Sequence, residues 1–299
     1  MSTTLSEANL PLPLFCRGKV RDTYNLDDKL LIVSTDRLSA FDVVLPDPIP
    51  DKGRVLNQIS FFWFEKTSQV MPNHLITPID TLDSLKQYFP PNTTLPDYLI
   101  GRSMITLKAE RVPVECVVRG YISGSAWAEY KQAGTICGMP TPKGLQESQE
   151  LPEPIFTPTT KADTGHDEPL SKKEMENLVG KSTARELEEK SLAVYQHARN
   201  YARGRDIIIA DTKFEFGFVD GKLILIDELL TPDSSRFWDT AQYTVGCSQP
   251  SLDKQPVRDW LVASGWNKEP PAPKLPPEVI KATTRRYVEA YQRLTGKKL

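Results

Sequence analysis

The sequence predicts an α+β fold in two lobes, and three observations carry that prediction. Short strand-like segments come first and longer segments of helical spacing come later. Proline-rich stretches punctuate the chain, and no internal repeat is visible. At 299 residues the chain is long enough to bury a large core in one big domain or two lobes.

The elements follow in order. Residues 14–24 and 29–35 read as short strands around a Gly18-Lys19 turn. Residues 54–66 place Leu56, Ile59, Phe62 and Trp63 at helical spacing and predict a helix. Residues 104–118 read as strand and cross a lobe boundary near Val112-Pro113, which gives lobes of residues 1–112 and 113–299. Prolines and charges between 140 and 169 predict long irregular loops. A helix over 171–203 opens on Ser171 and Glu174, whose spacing fits a capping box. Residues 246–277 are proline-rich and polar and predict a surface wrap, before a last helix over 277–294.

The most informative element is a hairpin over 206–228. Asp211, Lys213 and Glu215 alternate along an apolar run, so a strand presents all three on one face. The chain turns at Asp220-Gly221, and a second apolar run ends on Asp227 and Glu228. Carboxylates at the ends of buried strands are costly unless paired or holding a metal. A two-residue turn would put Asp227 on the face opposite Glu215, whereas a three-residue loop with Gly221 as a left-handed bulge puts both on the same face. The expectation is the bulged loop, with Glu215 and Asp227 forming a Mg²⁺ site.

Bulk properties narrow the partners. The 37 basic and 39 acidic residues leave a net charge of -2 with no basic block, so nucleic acid is not the expected partner. No apolar run is long enough to span a bilayer, and residues 1–10 do not read as a signal peptide. Cys16, Cys116, Cys137 and Cys247 are scattered, which suits free thiols in a reducing cytoplasm. His74, His166 and His197 are unclustered, so a histidine metal site is not expected.

Five constellations can carry chemistry. Arg17 to Asp22 forms a glycine turn between strands, with Lys19 and Arg21 adding charge where backbone amides can approach a phosphate. An ordinary surface hairpin fits the same residues. Ser34 to Asp42 follows an apolar strand, and its hydroxyls, acids and Arg37 suit a polar small molecule or a locally capped turn. Arg119 leaves a buried strand just before Gly120, Gly124 and Ser125, which fits either a phosphate monoester pocket or a structural ion pair. Asp233 to Phe237 follows the hairpin, where Arg236 can reach the same anion as Arg119, or Pro232-Asp233-Ser234 can start a helix. Lys161, Asp163, His166, Asp167 and Glu168 form a weaker cluster in the long loop. A phosphate loop, paired carboxylates and an arginine pocket together favour an ATP-dependent enzyme with a phosphorylated substrate.

The ordered motifs resemble the SAICAR synthetase (phosphoribosylaminoimidazole-succinocarboxamide synthase) family in its longer form. They are G-K-V-R-D at 18–22, S-T-D-R-L-S-A-F-D at 34–42, V-E-C-V-V-R-G-Y-I-S-G-S at 114–125, D-T-K-F-E-F-G at 211–217, I-D-E at 226–228 and P-D-S-S-R-F-W at 232–238. P-S-L-D-K-Q-P-V-R-D-W at 250–260 and the terminal L-T-G-K-K-L also fit, although Pro256 stands where a bulky apolar residue is expected. The resemblance implies the family's α+β arrangement of antiparallel sheets and flanking helices, distantly reminiscent of kinases and ATP-grasp enzymes. It implies a ligase of purine biosynthesis that condenses carboxyaminoimidazole ribonucleotide with L-aspartate and releases ADP and phosphate. Carried over, Gly18, Lys19 and Arg21 line the ATP phosphates, and backbone groups from Lys108 through Glu110 to Val112 bind adenine. Glu215 and Asp227 hold Mg²⁺, and Lys213 lies near the transferring phosphate. Arg119, Ser125 and Arg236 grip the ribonucleotide 5′-phosphate. Asp36, Arg37, Ser39 and Asp233 surround the imidazole and the amino acid, and Lys161 and Asp163 lie on an active-site loop. Lys213, Asp233 and Arg236 are the expected catalytic residues. The expected partners are small molecules, with neither nucleic acid nor membrane, and the expected assembly is a monomer or homodimer. Another ATP-dependent carboxylate–amine ligase or small-molecule kinase of the same fold is the alternative.

Overall fold

A computed structural model describes residues 4–161 and 167–299. Strands β1 (Leu14–Arg17), β2 (Arg21–Leu26), β3 (Lys29–Ser34), β4 (Leu75–Pro78) and β5 (Ser103–Leu107) form an antiparallel sheet in the order β1-β2-β3-β5-β4. Helix α1 (Lys52–Thr67) lies between β3 and β4 in the chain and buries Val55, Leu56, Ile59, Trp63 and Phe64. The segment expected as one strand over 104–118 is instead three, because β6 (Glu110–Arg111) and β7 (Val114–Tyr121) join a second sheet.

That second sheet runs β8-β7-β10-β11, where β8 is Glu150–Phe156, β10 is Ile207–Val219 and β11 is Lys222–Ile226. Two-residue β9 (Thr159–Thr160) pairs with β7, and β6 and β12 (Ser235–Asp239) pair with β10. β7 is buried along its whole length, its charged Glu115 and Arg119 included, so both need partners inside the fold. β8 corrects the expectation of irregular loop over 140–169. Its register jumps between Glu150 and Ile155, so Pro152 and Pro154 fall where the ladder is interrupted and no amide donor is missed.

The helix expected over 171–203 is two helices, α3 (Lys172–Val179) and α4 (Lys181–Arg203). Gly180 separates them at φ 82° and ψ 152°, a conformation open essentially to glycine alone. The capping box at Ser171 and Glu174 is present. The surface wrap over 246–277 contains helix α5 (Gln255–Ala263), which buries Val257 and Leu261. Pro256 sits in its first turn, where an amide would lack an intrahelical partner anyway, so its departure from the family pattern is accommodated. The last helix, α6 (Pro277–Thr295), packs on α1 and α5. Pro232-Asp233-Ser234 does not start a helix, since β12 follows and pairs Arg236 with Asp211.

The hairpin differs from expectation in its turn. Val219 pairs with Lys222 and Glu215 with Ile226, so Asp220-Gly221 is a plain two-residue turn rather than a bulged loop. Both turn residues have positive φ, 50° and 72°, which matches the twist of the strands. Strand parity alone would send Asp227 away from Glu215. Asp227 nevertheless lines the same groove, because its own backbone turns left-handed at φ 68° where the strand ends.

Candidate active site

β10 crosses two adjoining cavities, and its alternating charges serve both. Asp211 lines one, Glu215 lines the other, and Lys213 lines both. β7 runs antiparallel beside it with Arg119 opposite Asp211. The shared face expected for Asp211, Lys213 and Glu215 is thus what joins the cavities.

The first cavity encloses about 430 Å³ between the Gly18 turn, the middle of β10 and residues 227–234. Gly18, Lys19, Arg21 and Ser39 line it. Arg37 lies beneath the turn and donates to Gly18 O (2.9 Å), Lys19 O (3.2 Å) and Arg21 O (3.2 Å), so it braces the loop by its backbone. Arg21 donates to Asp227 Oδ2 (2.5 Å) and pairs with Glu228 (3.1 Å). Lys161 bridges Glu115 and Glu215, 2.7 Å from each, and Lys213 donates to both oxygens of Glu115 (2.9 and 3.0 Å).

The electrostatics here are unbalanced. Burial, and then the charge of Asp227, push the Glu215 carboxyl up to about 7. Burial also works against ionisation of Asp227, but Arg21 and then Lys161 outweigh it and hold that carboxyl below its usual range. Two carboxylates facing one groove, one of them reluctant to ionise, offer hard oxygen donors whose repulsion a divalent cation would relieve. Glu215 and Asp227 therefore fit a Mg²⁺ ion. No group of three or more potential ligands occurs among the described residues, so further ligands would come from phosphate and water, as is usual for this ion.

The second cavity encloses about 330 Å³. Asp211 Oδ2 accepts from Arg236 Nη1 (2.5 Å), Ser123 Oγ (3.2 Å) and Arg119 Nη1 (3.5 Å). Arg119 also donates to Thr157 Oγ1 (3.0 Å) and Ser125 Oγ (3.3 Å). Burial lowers the Arg119 pKa against the pull of Asp211, and Arg236 lowers it further, while Asp211 raises that of Arg236. Two guanidinium groups thus converge on one carboxylate and keep donors for a second anion. Helix α2 (Gly124–Ala133) starts beside them without a side-chain cap, adding backbone amides of the same polarity. Gly124 is needed at that start: φ is 57°, and a Cβ would lie 2.4 Å from Arg236 Nη2.

Asp233 stands where the cavities meet and lines both. Its oxygens accept from Lys52 Nζ (2.6 Å) and Tyr287 Oη (2.5 Å), with Lys254 Nζ at 3.7 Å. Burial opposes its charge, but Lys254 and then Lys52 outweigh burial and hold its pKa well below the usual range.

Other expected residues lie elsewhere. Asp36 is fully buried and accepts from Leu5 N, Gly53 N and Arg102 Nη1, so here it ties the start of α1 to the first sheet. Lys108 points to Asn25 Oδ1 (3.0 Å), outside both cavities. Glu110 is exposed on β6, and Val112 N donates to Phe216 O (2.8 Å), which commits that amide to the sheet. Asp163 and His166 fall outside the described residues. Residues given no role from the sequence are also here: Glu115, inside the motif at 114–125, anchors two lysines, Lys52 and Tyr287 hold Asp233, and Lys254 lines both cavities. Lys52 and Tyr287 gave no signal, because each meets Asp233 only through tertiary packing. Lys254 lay within the matching segment at 250–260 and was legible there. A separate cavity of about 260 Å³, lined by Met139, Phe156 and Met175, is mainly apolar and lacks convergent polar groups.

Residues 14–273 match the family described as SAICAR synthetase. The phosphoribosylaminoimidazole-succinocarboxamide synthase of Thermodesulfovibrio yellowstonii is 51% identical over 297 residues, covering 99% of this chain and 100% of that one. The SAICAR-synthase from Saccharomyces cerevisiae, solved complexed with SAICAR, is 45% identical with a TM-score of 0.89 and 99% of each chain covered. A SAICAR synthetase (Type-2) solved in complex with ADP is 26% identical with a TM-score of 0.69, covering 95% of this chain and 98% of that one.

Proposed function

The chain belongs to the SAICAR synthetase family, and we propose that its two joined cavities condense carboxyaminoimidazole ribonucleotide with L-aspartate at the expense of ATP. The observation that carries this reading is the single strand β10, which links a carboxylate-lined groove to an arginine pocket through Lys213. The groove suits the phosphates of ATP, with Gly18, Lys19 and Arg21 beside them. The pocket suits the 5′-phosphate of the ribonucleotide on Arg119, Ser125 and Arg236. Backbone groups between Lys108 and Val112 are proposed for adenine, apart from the Val112 amide already used and the Lys108 amide, which donates weakly to Asp28 O (3.4 Å).

A carboxylate is a poor acyl donor. Its oxygen attacks the γ-phosphorus of ATP, ADP leaves, and an acyl phosphate results. The aspartate amine then attacks the carbonyl carbon, loses a proton, and phosphate departs with its bonding electrons. Lys213, clamped by Glu115 between the cavities, is placed to offset charge on the phosphoryl group in transit. Arg119 and Arg236 hold the ribonucleotide so that its carboxylate faces that region. Asp233, fixed by Lys52 and Tyr287, is placed to orient the amine, with Ser39 and Lys161 nearby. Asp36 and Arg37 act from beneath by fixing α1 and the glycine turn. Magnesium held by Glu215 and Asp227 would supply neutralisation of phosphate charge.

The proposed lobes, residues 1–112 and 113–299, follow the two sheets apart from β6. No helix among the described residues is long and apolar enough to cross a membrane, and a cytoplasmic setting is proposed, where the four thiols would stay reduced. A coupled assay of ADP release tests the function. Release that requires both the ribonucleotide and L-aspartate is expected. Release with neither acceptor present, or none with both, contradicts it.

A further inference from the structure

β10 changes faces before it reaches the cavities. Ile207 and Ile209 are buried in the main core, and so are Phe214 and Phe216 further along. Ile208 and Ala210 lie on the opposite side, packed with Tyr121 and Trp238. Odd positions therefore face the core at the start of the strand, and even positions face it later. Unbroken alternation would carry Asp211, Lys213 and Glu215 into that core.

The switch is a bulge. Against β12, Ile209 pairs with Phe237 but Asp211 pairs with Arg236, which leaves Ala210 as one extra residue. On the other side, the ladder with β7 ends at Asp211 and Arg119, so the Ile209 carbonyl lies beyond it. The hydroxyl of Tyr195, a fully buried residue of α4, donates to that carbonyl (2.7 Å). Gly120, next to Arg119, leaves the space, since a Cβ there would collide with Tyr195 Oη. We infer that Tyr195 is a positioning residue, whose hydroxyl holds the bulge that turns Asp211 toward Arg119 and Arg236. Neither Tyr195 nor Gly120 lines either cavity, so both act through the strand. Lys213 and Glu215 are held separately by pairing with Val117 and Ile226, so the effect falls on the arginine pocket. The inference rests on the proposed ribonucleotide role of that pocket.

Tyr195→Phe keeps the ring and removes the donor. Amide hydrogen exchange, followed by mass spectrometry, should quicken in residues 207–212 of this variant, which reads the bulge directly. Equilibrium titration should show ribonucleotide affinity about tenfold weaker, because a buried carbonyl is left unpaired beside Asp211. Affinity for Mg²⁺·ADP should not change. Gly120→Ala should reproduce that selective loss by displacing the hydroxyl, and the double variant should bind no more weakly than the poorer of the two. Unchanged exchange in Tyr195→Phe overturns the hold on the bulge. Wild-type ribonucleotide affinity in a destabilised Tyr195→Phe, or an equal loss of both ligands, marks a merely structural tyrosine and contradicts the inference. Additive losses in the double variant contradict it too. If Arg119→Ala keeps wild-type ribonucleotide affinity, the pocket assignment fails instead, and exchange at 207–212 still decides the bulge. Should Tyr195→Phe not fold, Gly120→Ala carries the exchange and titration tests.

Discussion

The two cavities along β10 use similar residues to opposite effect. In the groove, Glu215 and Asp227 repel each other, and nearby cations are drawn onto them from the glycine turn and from Lys161. In the pocket, one carboxylate, Asp211, gathers two guanidinium groups that would otherwise repel. The first arrangement is relieved by an added cation and the second by an added anion. Charge type matters less than which sign is in excess at the point of convergence.

The comparison breaks most sharply at Glu215. Glu215→Gln is expected to lower turnover on the order of 10²-fold or more while leaving unfolding temperature and ribonucleotide binding intact. Wild-type activity at limiting Mg²⁺ would contradict the groove's role. At the junction, Asp233→Leu strips the fully buried Lys52 of its carboxylate and should cost about 3–5 kcal/mol in urea unfolding. Asp233 also carries a pH signature. Its folded pKa lies below the usual 3.8, so its stabilisation is complete above that pH and is lost as pH falls through it toward the folded value. Asp233→Asn should therefore flatten the stability profile below pH 3.8; an unchanged slope would remove Asp233 from the account.

Smaller effects sharpen the pocket. Arg119→Ala should weaken ribonucleotide binding by about 1.5–3 kcal/mol with the KM for ATP unmoved; a rise confined to ATP would reverse the assignment. Gly124→Ala drives a Cβ toward Arg236 and adds roughly 1–2 kcal/mol of left-handed backbone cost. Its expected result is a several-fold rise in ribonucleotide KM, read against unchanged ADP binding.

The sequence made the alternation of Asp211, Lys213 and Glu215 legible because strand periodicity needs no tertiary context. It also exposed the glycine turn and the two arginines. The path of Asp227 was hidden: Asp220-Gly221 is compatible with either turn, and one backbone torsion at Asp227 reverses what parity predicts. Gly180 broke a helix whose amphipathic pattern continues on both sides. Asp36 read as part of a small-molecule site or a capped turn, and the three donors from distant segments that close over it left no local trace in the sequence.

Division of labour between the cavities is tested most directly by equilibrium titration of two variants with two ligands. Glu215→Gln should lose affinity for Mg²⁺·ADP and keep it for the ribonucleotide, and Arg119→Ala should do the reverse. If both variants lose the same ligand, the groove and the pocket do not hold separate substrates and the account fails.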